Sequence, residues 1–215
     1  MPSFLERRGT KVHATVPPLV ARPVRVVRWR VVDIVVASVV AVASGVVFWA
    51  WGQAWNPLSG PVTALLPSFQ GILNGPWLFA GVLVALIVRK PGAALYGEVV
   101  AAVVSMLVGT QWGFATLFSG VVQGLGAEIV FALFLYAKWT LPPALLAGAG
   151  AGLAESVLDL FYSYPGVGPG FAIVYTVTTT TSGVVVAGLG SWALVRALAK
   201  TGALDRFATG REGRV

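Results

Sequence analysis

Cysteine is absent from this 215-residue chain, and histidine occurs once, as His13. Without thiols there is no disulfide framework, no cysteine nucleophile and no thiolate metal site. His13 lies in a stretch rich in Pro and Arg, where a solvated side chain is the ordinary reading. Charge is scarce too: 11% of residues are Asp, Glu, Lys or Arg, against about 25% in soluble domains. No GxxxxGK[ST] pattern occurs and none of the four lysines follows a glycine, so there is no phosphate-binding loop for ATP. The HExxH and GxSxG signatures are missing as well, which leaves catalysis, including an intramembrane enzyme, unsupported. Gly148, Gly150 and Gly152 alternate inside an apolar run and mean helix packing rather than a dinucleotide site. Internal repeats are not evident, which weighs against a self-contained transporter built from inverted repeats.

What the chain has in abundance is apolar residues, 57% of the total, with a mean hydropathy of +0.82. That composition describes an all-α integral membrane protein. Six runs approach the roughly 20 residues needed to cross a bilayer. They are expected at 31–51, 70–88, 92–109, 117–137, 141–161 and 171–196. The formal charge of +7 could suggest nucleic acid, but the basic residues lie in the tails and two short loops, with no aromatic interleaving in a soluble domain. Nucleic acid is excluded as a partner. Arg89 and Lys90 follow the second run, Lys138 the fourth and Arg196 the sixth, while the alternate loops near 52–69, 110–116 and 162–170 carry no charge. The positive-inside rule then places both termini in the cytoplasm and the chain in the cell membrane. Residues 1–27 read as a flexible basic tail rather than a signal peptide, because basic residues run up to the first span without a small-residue cleavage site. The membrane domain is expected over 28–200, with a second basic tail over 201–215.

Five carboxylates lie in or at the edge of these spans, Asp33, Glu98, Glu128, Glu155 and Asp159, and no Lys or Arg accompanies them inside. Charge in hydrocarbon costs at least a few kcal/mol, so such residues are functional candidates by default. The bland alternative for each is a protonated carboxyl hydrogen-bonded to a neighbouring helix. Asp33 has Arg28 and Arg30 nearby and reads as an anchor at the membrane boundary, and Asp159 reads as an acid at the outer rim. Helical spacing puts Glu155, Asp159 and Tyr162 on one face and Glu98, Ser105 and Trp112 on another. Gln70, Asn74 and Trp77 align on the second span, Tyr175, Thr178 and Ser182 on the sixth, and Gly120 and Gly124 share the face of Glu128. Most of this polarity converges on the outer half. The outer loops add Trp55 and Trp112 beside Gln53, Asn56 and Gln111. An interfacial aromatic belt accounts for the aromatics equally well. On the first span, Ala37, Ala41 and Gly45 form a small-residue seam that suits close helix packing, within this bundle or against another subunit.

The run from Trp29 to Ala37, continued by Gly45-Val46-Val47-Phe48-Trp49, resembles the opening of the YkoE-type substrate-binding (S) components of energy-coupling factor (ECF) transporters. Gly75-Pro76-Trp77, Arg89-Lys90-Pro91-Gly92-Ala93-Ala94, Tyr96-Gly97-Glu98 and Gln111-Trp112-Gly113 extend that likeness, which covers roughly 28–200. The resemblance implies six helices and a thiamine-type vitamin, or its hydroxymethylpyrimidine (HMP) precursor, bound near the outer face. It also implies a transmembrane coupling subunit and two ATP-binding cassette subunits that use the ATP, with no cofactor in this chain. A small-residue motif on the first helix of S components meets the coupling subunit, and Ala37, Ala41 and Gly45 stand at that place. Thiamine carries a cationic thiazolium, which aromatic faces attract, and a pyrimidine suited to amides and carboxylates. The residues expected to stack are Trp55, Trp112 and Tyr162. Glu98, Glu128 and Glu155 are expected to meet the cation or the amine, with Asp159 at the rim and Asn74 and Gln111 orienting the ring. A stand-alone proton-coupled transporter, using the acids as a relay, is the alternative.

Overall fold

A computed structural model describes residues 28–212, and every regular element in that range is helical. The expected tail over 1–27, with His13, lies outside the described residues. The elements are α1 (Val31–Leu65), two 3-10 turns (Pro67–Leu73 and Gly75–Trp77), α2 (Phe79–Val88), α3 (Ala93–Val108), α4 (Ala115–Leu133), α5 (Leu141–Tyr162) and α6 (Pro169–Ser182). A π-helical stretch (Gly183–Gly190) joins α6 to α7 (Ser191–Lys200), and a short α8 (Ala208–Glu212) follows. Four helical stretches are long and apolar enough to cross a membrane alone: α1, α4, α5 and the continuous run Pro169–Lys200. The expected spans at 70–88 and 92–109 fall on shorter apolar helices, α2 and α3.

α2 has no polar residue, and Ala80 through Val88 are all buried. A helix that is apolar on every side belongs inside a protein rather than on its surface. α1, α3, α4, α5 and the α6–α7 run pack around it, with α3 between α1 and α4, and α5 between α4 and the last run. Outward faces are apolar as well: Val35, Val39 and Val46 on α1, Phe118 and Ile129 on α4, and Leu153 and Val157 on α5 are all exposed. Those faces suit hydrocarbon. Where α5 crosses α4 and the π-helical stretch, backbones meet directly. A Cβ on Gly126 would strike the Gly150 carbonyl, and one on Gly148 would strike that of Gly183.

Three features depart from the expected organisation. The first helix does not stop near residue 51 but runs to Leu65 with Pro57 and Pro61 inside it. Each proline removes a helical N–H, and both lie on an exposed part of the helix. The start of the expected second span is 3-10 rather than α, because Pro67, Gly71, Gly75 and Pro76 interrupt it. Beyond 200 the chain still packs: Leu204 and Phe207 join the main core, and Thr209 donates to the Leu86 and Ile87 carbonyls at 3.0 and 3.3 Å. Those carbonyls end α2 and have no helical partner of their own.

The small-residue seam is also placed. Ala37 and Ala41 are 1% and 0% exposed and belong to the central cluster, and a Cβ on Gly45 would strike Ala101 and Val104 of α3. The chain itself occupies that face. Asp33 does anchor the start of α1: it accepts from the Arg30 backbone N–H at 2.9 Å and pairs with the Arg30 guanidinium at 2.7 Å. That pairing raises the Arg30 pKa above its ordinary value.

Candidate functional site

One cavity of about 470 Å³ lies among the helix ends opposite those that carry Arg30, Arg89, Lys138 and Lys200. Drug-sized ligands occupy pockets of about 300–1,000 Å³. Its walls differ in chemistry.

One wall is aromatic. Trp55 comes from the extension of α1, Trp77 from the second 3-10 turn and Trp112 from the α3–α4 loop. Trp77 and Trp112 meet edge to face with centroids 5.0 Å apart; Trp55 lies 5.2 Å from Trp77 and 6.0 Å from Trp112. The Trp77 indole N–H is used up on the Phe48 carbonyl at 3.0 Å, and Trp51 is held likewise by the Leu73 carbonyl. Trp77 therefore offers the cavity its ring rather than a donor. The continuation of α1 past residue 51 matters here, because it carries Trp55 to the cavity.

The other wall is polar. α5 contributes Glu155, Asp159 and Tyr162, α4 contributes Ser119 and Gln123, α6 contributes Tyr175, and the first 3-10 turn and its cap contribute Gln70 and Asn74. Tyr175 donates to Asp159 at 2.6 Å and receives the Asn74 amide at 2.9 Å, while Ser163 donates to the other Asp159 oxygen at 3.2 Å. Gln70 donates to the Tyr164 hydroxyl at 2.8 Å. Burial, and then the Asp159 charge, push the Tyr164 phenol up to about 12, so it stays protonated. Glu155 differs from Asp159. It is 7% exposed, its Oε2 has no hydrogen-bond partner, and Gln123 and Ser119 stand beside its carboxyl.

Of the expected binding residues, the cavity collects Trp55, Asn74, Trp112, Glu155, Asp159 and Tyr162. Three lie elsewhere. Glu128 accepts from the backbone N–H groups of Gly92, Ala94 and Leu95 at 2.6, 2.8 and 3.3 Å, so its positive partner is the N-terminus of α3. Glu98 takes the Gly81 N–H at 2.5 Å between α2 and α3, one turn from the Ala102 that lines the cavity. Gln111 donates to the Gly52 carbonyl at 3.2 Å and accepts from Asn56 at 3.3 Å, tying the α3–α4 loop to α1 behind Trp112. Gln123 and Ser119 were not anticipated. An amide in the middle of an apolar helix is the signal that marks Gln123.

Comparison with known proteins adds three findings. The family described as "ABC-type cobalt transport system, permease component" matches residues 32–154. YkoE of Bacillus subtilis (strain 168), described as an HMP/thiamine permease protein, is 37% identical over 185 residues, covering 86% of this chain and 92% of its own length. A crystal structure of an S-component of an ECF transporter superposes with a TM-score of 0.79 at 35% identity, over 86% of this chain and 93% of that one.

Proposed function

The chain belongs to the YkoE-type family of S components of ECF transporters, and from that membership we propose that it captures thiamine or HMP outside the cell for an ATP-driven module. It is a multi-pass membrane transport subunit and not an enzyme. The observation that carries the substrate reading is the two-walled cavity: indole faces on one side, carboxylates, amides and hydroxyls on the other. Thiamine presents a cationic ring and a hydrogen-bonding pyrimidine, and HMP presents the pyrimidine alone. Cobalt, named by the matching family, needs converging ligands. Among the described residues no group of three His, Cys, Asp or Glu side chains could hold a metal ion, and the cavity's donors suit an organic ligand.

α2 and α3, with the 3-10 turns, complete six crossings of the cytoplasmic membrane. Both termini and the basic loops face the cytoplasm, so the cavity opens outward. A coupling subunit and two ATPase subunits complete the importer and use the ATP, consistent with the missing phosphate-binding loop. Isothermal titration of the purified chain tests the substrate: both compounds bind, and a vitamin without an aminopyrimidine, such as biotin, does not. If biotin bound and thiamine and HMP did not, the reading would be overturned.

A further inference from the structure

We infer that α7 carries a binding site for one anionic phospholipid. Arg196 and Lys200 hold the headgroup phosphate, and an acyl chain lies along the apolar face that leads up from them. The site is at the basic end of the bundle, opposite the cavity, and has no part in vitamin capture.

The placement follows from how α7 sorts its residues. Val195 and Ala199, 5% and 4% exposed, join the main core, and Ser191 donates to the Phe79 carbonyl at 3.3 Å. Ala193, Leu194, Arg196, Ala197 and Lys200 are exposed. Higher on the same continuous helical run Val185 and Leu189 are exposed too, so an outward apolar strip descends to the basic residues. In a helix that crosses a bilayer such a strip meets acyl chains. Arg196 is four residues, about 6 Å, short of the helix end. A long basic side chain from that depth reaches the headgroups by extending along the apolar surface.

The chemistry follows from how the charges are held. At the same end of the bundle Arg30 is spent on Asp33 at 2.7 Å. Among the described residues neither Arg196 nor Lys200 forms an ion pair. The Arg196 guanidinium instead lies over the Trp192 ring, 4.8 Å from its centroid. An indole orients a guanidinium without neutralising it. The planar fork then suits two phosphate oxygens, and Lys200, one turn further along, adds a second positive charge. A zwitterionic headgroup brings its own ammonium to the phosphate and gains less. Inorganic phosphate brings the charge but leaves the apolar strip unused.

Native mass spectrometry of the purified full chain in detergent, titrated with phosphatidylglycerol or phosphatidylcholine, tests the site. Wild type retains one phosphatidylglycerol at least fivefold more tightly than phosphatidylcholine, and millimolar inorganic phosphate does not displace it. Arg196→Gln and Lys200→Gln each weaken phosphatidylglycerol about fivefold, the worth of one basic side chain near an anionic surface. Arg196→Lys keeps the charge but loses the fork, and weakens it about threefold. Lys138→Gln removes one charge elsewhere at the basic end and leaves retention unchanged. Both arginine positions are exposed to substitution without touching the core, and a lipid-free thermal melt confirms that each variant is folded. If Arg196→Gln did not fold, Arg196→Lys and the wild-type comparison of the two lipids decide. Equal retention of both lipids, displacement by inorganic phosphate, an unaltered Arg196→Lys, or a loss in Lys138→Gln equal to that in Arg196→Gln overturns the site. The last two outcomes would mean a diffuse basic surface.

Discussion

A carboxylate taken out of water must find donors, and the acids of this chain find them in different places. Asp33 has a guanidinium, Asp159 has two hydroxyls, and Glu128 has three backbone N–H groups at the start of α3. Glu128 is thus a helix cap supplied by another helix. Glu128→Gln removes the charge that complements the helix end and lowers stability by about 1 kcal/mol. A thermal melt in detergent reads that loss, while thiamine affinity of the folded fraction stays unchanged. A drop in affinity at constant stability would return Glu128 to the ligand. Depth and helical face were legible in the sequence, and Asn74, Glu155, Asp159 and Tyr162, grouped on that basis, line one cavity. What they could not show is which distant backbone arrives beside an acid. Glu128 meets Gly92, thirty-six positions away, and no pattern within α4 records that.

At the scale of elements, the irregular segments do the positioning. Ser182 on α6 accepts the Gly75 N–H at 2.9 Å and donates to the Ile72 carbonyl at 2.6 Å, pinning both 3-10 turns from one hydroxyl. Asn74 and Trp77 ride on those turns. Ser182→Ala leaves a buried N–H and carbonyl unmet, costing about 1–3 kcal/mol, and weakens ligand binding although Ser182 does not line the cavity. Calorimetry set beside a thermal melt would show both losses; intact binding would mean the turns are held without it. The seam on α1 makes the opposite case. Ala41 is fully buried in the core, so Ala41→Trp overpacks it by about 1–3 kcal/mol or more. Monodispersity, ligand binding and uptake should fall together. Uptake lost with binding and stability retained would mean that α1 opens this face to a coupling subunit. A small-residue spacing states that something approaches closely and leaves open whether that is the same chain. Likewise the uncharged stretch near 52–69 reads as a loop in the sequence, yet α1 continues through it to Leu65 with Pro57 and Pro61 inside.

The whole molecule separates capture from passage. Its cavity sits at one end of the bundle, and the centre is filled by α2, with nine consecutive buried residues that are all apolar or glycine. A polar vitamin held in that cavity, as proposed, would face that core rather than a route to the basic end. Moving it across requires displacement of the bundle, which ligand binding at one end does not power by itself. The purified chain in liposomes should therefore bind labelled thiamine without accumulating it, with or without an imposed proton gradient. Accumulation should begin only when the coupling subunit, the ATPases and ATP are added. Flux driven by the pH gradient through this chain alone would mean that the buried acids relay protons, and would restore the stand-alone transporter.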